Sequence, residues 1–163
     1  MAKLRAFQRL GRAVTMVPLV TLAVLFAVTG PANAQQGFGV RGGLSVDPDQ
    51  GYFGIHYNTS PLVDRLSFRP NVEAGFGDSQ TLVAFNFEFA YRIPLPKSPW
   101  SVYFGGGPAA VLTTMDRDGE NHTDVGGGFN MLIGLSHRKG FFTEMKVGVI
   151  DSPSLKFGVG YSF

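Results

Sequence analysis

Cysteine is absent from the 163 residues, so thiolate nucleophiles, thiolate metal sites and disulfides are excluded, leaving hydroxyl and imidazole groups as candidates for covalent chemistry. Of the 3 histidines, His56 falls within a predicted strand, whereas His122 and His137 fall in predicted connections. A serine nucleophile needs a base within hydrogen-bond reach. The neighbours Ser136 and His137 sit in a predicted turn, where adjacent side chains do not normally face each other, and no other spacing pairs a hydroxyl with an imidazole. No catalytic residue is assigned, and the chain is expected not to be an enzyme. Asp116-x-Asp118-Gly119-Glu120 has the ligand types of a calcium loop. It lacks the flanking spacing and the distal bidentate glutamate of that motif, so it reads as a solvated acidic loop. Gly105-Gly106-Gly107 and Gly126-Gly127-Gly128 precede neither a helix N-terminus nor the Lys-Ser/Thr that cradles phosphate, and read as bends or thin points in strands. No metal and no cofactor is expected.

The chemistry that remains is electrostatic. Arg41, Arg69, Glu73, Glu88, Arg92, Glu144 and Lys146 fall at alternate positions among Gly, Ala, Ser and Asn, and His56 and Lys156 share that face. Charges withdrawn from water are costly unless paired, so this set reads as a hydrogen-bonded ion-pair network if its face is enclosed. Whether it is enclosed depends on the elements that carry it.

Residues 1–34 run from a basic stretch (Lys3, Arg5, Arg9, Arg12) through an apolar one to Thr29-Gly30-Pro31 and Ala32-Asn33-Ala34. That order is the pattern of a secretory signal peptide cleaved after Ala34. An uncleaved anchor would need a longer apolar run, and this one contains Pro18. Removing the four bases leaves 10 basic residues against 12 acidic ones, so the mature chain is mildly acidic and has no electrostatic footprint for nucleic acid.

From Gln35 onward the period is two rather than 3.6. The clearest case places Val83, Phe85, Phe87, Phe89, Tyr91 and Ile93 on one face and Ala84, Asn86, Glu88, Ala90 and Arg92 on the other. The same template predicts strands near 38–46, 52–57, 66–76, 83–93, 100–111, 125–135, 141–149 and 155–163, joined by Pro-, Asp- and Gly-rich turns. One domain, residues 35–163, is expected: an all-β, eight-stranded antiparallel up-and-down barrel.

Such a barrel can turn its apolar face inward, as a soluble carrier does, or outward into lipid. The small residues on the charged face, among them Gly39, Gly43, Gly75, Gly134, Gly158 and Gly160, favour a crowded interior. An eight-stranded barrel is just wide enough to be filled by side chains. The expectation is a transmembrane barrel with a polar, side-chain-filled lumen. Strand ends near Phe38, Tyr57, Phe68, Tyr91, Trp100, Phe141, Tyr161 and Phe163 then form an aromatic girdle at the inner level, with Arg65, Lys97, Arg138 and Lys139 beside it. Asp47, Asp49, Asp78, Asp116, Asp118, Glu120, Asp124 and Asp151 gather at the outer end.

Over this mature region the chain resembles small bacterial outer-membrane β-barrels such as the OmpA transmembrane domain and OmpX. The most specific element is Phe157-x-Val159-x-Tyr161-x-Phe163, which is similar to the terminal-aromatic signal read by the barrel assembly machinery in that family. The resemblance implies an outer-membrane location, with outer-membrane lipids as partners and the assembly machinery as a partner during biogenesis. It implies no oligomeric state. Two departures limit it: external connections are predicted to be short except for 113–123, and no peptidoglycan-binding domain follows Phe163. The expected function is structural or protective at the cell envelope. Alternatives are a narrow pore for small solutes, a lipid-modifying enzyme, and a soluble periplasmic lipocalin-like carrier with its apolar face inward.

Overall fold

Alternation of residue type becomes alternation of burial along each strand of the computed structural model, which describes residues 36–77, 80–117 and 120–163. The expected signal peptide therefore lies outside the described residues, as do Asp78, Asp118 and Gly119. Eight strands follow one another: β1 (Gly37–Val46), β2 (Gln50–Asn58), β3 (Leu66–Phe76), β4 (Gln80–Pro94), β5 (Trp100–Arg117), β6 (Glu120–His137), β7 (Phe141–Ile150) and β8 (Leu155–Ser162). Each pairs antiparallel with its chain neighbour, and β1 pairs with β8 to close the barrel. No helix occurs among the described residues.

The large hydrophobes point out. Phe53, Ile55, Phe85, Phe87, Phe89, Phe104, Met131, Ile133, Phe157 and Val159 are exposed, while Arg41, His56, Arg69, Glu73, Glu88, Glu144, Lys146 and Lys156 are buried. This is the inverse of a soluble protein, and it removes the geometry that a lipocalin-like carrier would need. The ten residues of β1, at about 3.3 Å each and tilted by about 40°, rise roughly 25 Å, the height of the apolar band in membrane barrels.

At the end where β1 begins, aromatic side chains touch across neighbouring strands. Phe38 meets Tyr57, Phe68 meets Phe89, Tyr91 meets Phe104, Trp100 meets His137, and Phe141 meets Tyr161, with ring centroids 4.7–5.7 Å apart. The barrel seam lies at the same end, where the Phe163 amide donates to the Phe38 carbonyl at 2.9 Å.

One expected connection is a correction. Residues 113–123 do not form an extended loop: β5 and β6 stay paired from Trp100↔His137 to Arg117↔Glu120, so the polar stretch is the far end of a hairpin of two 18-residue strands. His122 and His137 consequently lie in β6 rather than in connections. The period-two signal fades there because the strands have passed the apolar band. With both faces polar, backbone pairing continues without alternation of hydropathy, and Thr114 and Thr123 join their hydroxyls at 3.1 Å.

The two glycine triplets lie inside β5 and β6. At Gly105 and Gly107 a Cβ would run into the carbonyls of Phe89 and Phe87 on β4, so the absence of a side chain lets the two strands approach there.

Candidate functional site

Three carboxylates from three strands converge in the middle of the lumen. Glu73 comes from β3, Glu88 from β4 and Glu144 from β7. Arg41 on β1 reaches Glu144 at 2.8 Å, Glu73 at 3.1 Å and Glu88 at 3.8 Å through a single guanidinium nitrogen. Lys146 lies 2.6 Å from Glu88, 2.7 Å from Glu73 and 3.6 Å from Glu144. Arg69 closes on Glu144 at 3.3 Å, and the Lys156 ammonium donates to Glu73. Tyr103 donates its hydroxyl to Glu144 at 2.9 Å, and Asn71 donates to Glu88 at 2.9 Å. Every carboxylate oxygen of the trio is thus engaged, the condition under which buried charge is tolerable. From Asn71 an amide relay continues across the lumen: Asn86 donates to Asn71 at 2.7 Å, and Asn130 donates to Asn86 at 2.8 Å.

Some of these contacts, and others on the same face, arise by one repeated device. A long side chain on one strand reaches over a glycine on the next strand to a residue two strands away. Arg41 and Glu73 are both register partners of Gly54. Tyr103 and Glu144 both face Gly134. His56 and Ser162 both face Gly39, and Arg41 and Phe142 both face Gly160, where the guanidinium lies 5.6 Å from the ring centroid. At Gly134 a Cβ would meet the Tyr103 ring and sit 2.5 Å from the Thr143 carbonyl. Gly134→Ala is therefore expected to cost about 1–3 kcal/mol through overpacking. Gly51→Ala, at an exposed position with nothing within 4 Å, is the control, and urea-unfolding midpoints of the two variants compare them.

Of the residues expected to form the charge network, the structure brings together Arg41, Arg69, Glu73, Glu88, Glu144 and Lys146. Arg92 stands apart at the inner mouth, without an ion pair among the described residues. Lys156 belongs to the network although sequence reasoning placed it only on the same face; its neighbour Lys146 is its direct partner across β7 and β8. Tyr103 and the three asparagines were also missed. Their signal was period two: Asn86 shares a face with Glu88, and Asn71 with Glu73.

A hydroxyl and an imidazole do meet. His56 Nε2 lies 2.9 Å from Ser162 Oγ, which also accepts from Asn58 at 3.1 Å. Barrel closure makes this contact, since both residues flank Gly39, and linear spacing carries no trace of it. His56 Nδ1 has no partner among the described residues, so nothing orients the ring as a base, and Ser162 is buried. The pair is geometrically a lumen contact.

Phe157, Val159 and Tyr161 of the C-terminal aromatic pattern lie on the outer face of β8, with Tyr161 against both Phe141 and Phe163. Two solved structures share this architecture. Neisserial surface protein A superposes with a TM-score of 0.59 at 13% identity, covering 77% of this chain and 94% of that one. The N-terminal β-barrel domain of Pseudomonas aeruginosa OprF superposes with a TM-score of 0.58 at 16% identity, covering 79% and 98%. The chain has the fold of a small bacterial outer-membrane β-barrel. No protein-family model matches the chain, and no curated protein matches it. At these identities the likeness to the two outer-membrane barrels extends to the fold alone, an eight-stranded barrel.

Proposed function

We propose that the chain is exported through a cleaved signal peptide and resides in the bacterial outer membrane as a structural or protective barrel of the envelope. The observation that carries this reading is the combination of an exposed apolar belt with a closed backbone ladder. In lipid every backbone polar group must be satisfied internally, and a closed ring of strands does so. The aromatic contacts at one rim fit an interfacial girdle. Outer-membrane lipids are then the surrounding partners, and the terminal Phe157, Val159, Tyr161 and Phe163 are the segment offered to the assembly machinery.

The filled lumen favours a structural role over a pore. Arg41, Lys146 and the three glutamates bond across the interior from opposite walls. Eight strands leave space for side chains and little else. The buried Ser162, without an oriented base, gives no support to an enzymatic role. The test is membrane fractionation of the expressed chain, with migration on a denaturing gel before and after heating. Recovery in the outer-membrane fraction, a mature N-terminus at Gln35 and a heat-dependent shift are expected. A soluble periplasmic product sinks the reading, and ohmic conductance in planar bilayers would replace the structural role with transport.

A further inference from the structure

The charges that the barrel leaves outside its lumen are sorted by end. At the outer rim Asp47, Asp49, Asp124 and Asp151 are exposed. At the inner rim the turn after β4, 95–99, carries Lys97, and the turn after β6, 138–140, carries Arg138 and Lys139; neither turn contains a carboxylate. The two turns are neighbours, since the Arg138 amide donates to the Pro99 carbonyl at 2.9 Å. All three cations are exposed, and none has an ion-pair partner among the described residues. Arg65, at the same end, lies 3.9 Å from Asp64.

Next to these cations the wall becomes apolar within one strand position. Trp100 and His137 are register partners at the base of the two turns, and their rings meet edge to face at 4.7 Å. The next outward-facing pairs toward mid-barrel are Val102 with Leu135 and Phe104 with Ile133, of which Phe104, Ile133 and Leu135 are exposed. A positive cap, an interfacial indole and an apolar column follow one another in the order of a phospholipid's phosphate, glycerol region and acyl chain. Bulk water can solvate the cations but cannot cover the column, and only an amphiphile meets both. We propose that the β4–β5 and β6–β7 turns form a docking surface for one anionic glycerophospholipid, its phosphate held by Lys97, Arg138 and Lys139 and its chain laid along Phe104, Ile133 and Leu135. The inference rests on the membrane reading above and adds to it which class of lipid is bound and where. Arginine meets a phosphate through two parallel N–H donors and lysine meets it as a point charge, so the set selects for net negative charge rather than for one headgroup shape. A zwitterionic headgroup brings its own ammonium and loses that attraction.

Trp100 is the single tryptophan of the chain, so its fluorescence reports on this surface directly. The experiment reconstitutes the purified protein in mixed phosphatidylglycerol and phosphatidylcholine bilayers in which one of the two lipids carries bromine, a contact quencher of indole, on its acyl chains. At equal mole fraction brominated phosphatidylglycerol is expected to quench Trp100 more strongly, with a relative association constant of about five or more, the worth of one cation beside an anionic headgroup. The preference should shrink as salt rises, because exposed charges are screened. Lys97→Gln combined with Arg138→Gln and Lys139→Gln should bring the constant to about one. Arg65→Gln, at the same end and outside the two turns, should keep the parental value. Equal quenching by the two lipids in the parent, or a preference that survives the triple variant, would overturn the site. Relief of the quenching by inorganic phosphate at matched ionic strength would also overturn it, replacing the lipid with a free anion. If the triple variant does not fold, the parent's salt dependence decides: a shrinking preference supports the site and a flat one removes it. Absence of quenching by either lipid sinks the membrane reading itself, and is thereby distinct from failure of the site alone.

Discussion

Glu73→Ala is expected to destabilise the folded barrel by about 3–5 kcal/mol, the cost of removing one partner from a buried ionic cluster. Glu73 is the counter-charge that allows Lys146 and Lys156 to stand directly opposite each other across β7 and β8. Like charges facing across a ladder repel, and here both are buried. Loss of the carboxylate also removes one of the two shortest Arg41 ion pairs. Urea-unfolding midpoints in micelles read the effect. The companion variant is Glu73→Ala with Lys156→Met, which withdraws the second lysine and should recover a measurable part of the loss. A double variant whose loss equals the sum of the two single losses would show that the opposed lysines are not what Glu73 restrains.

Phe87→Arg is the second large effect, about 2–4 kcal/mol when unfolding is measured from lipid vesicles. Phe87 points outward from the residue next to Glu88, whose carboxylate lies within the central cluster, so the new charge would enter the middle of the apolar band. Charged side chains on the lipid face cost most at mid-height and about 0–1 kcal/mol near the interfaces. Val46→Arg, at the outer end of β1, is therefore expected to be nearly silent. Equal costs at the two positions would speak against a bilayer around this belt.

Strand identity was legible because burial in a barrel wall is strictly two-sided. Phe85, Phe87 and Phe89 could only share one face, and Asn86 and Glu88 only the other, whichever side turned out to be lipid. The outer halves of β5 and β6 were not legible. Thr113, Thr114 and Thr123 sit where neither face is apolar, and the ladder there leaves no hydropathic trace. The membership of the charge network was readable in outline, since Arg41, Glu73 and Glu144 all alternate with small residues. Its wiring was not. Which carboxylate meets which cation depends on how far β8 is staggered against β1 when the ring closes, and no local pattern encodes that stagger. The same stagger brings Ser162 to His56 and leaves Arg92 beyond the reach of Glu144.

The join between β1 and β8 also bears on how the molecule can come apart. A linear array of strands or repeats has ends, and it loses structure from those ends inward, one unit at a time. This ring offers no such starting point, because each strand is hydrogen-bonded on both sides. Detaching any one of them opens two ladders at once and strips charged side chains of partners on distant strands. Releasing a strand from this ring is thus costlier than fraying a free end, and the closed join removes the route by which an open sheet begins to unravel.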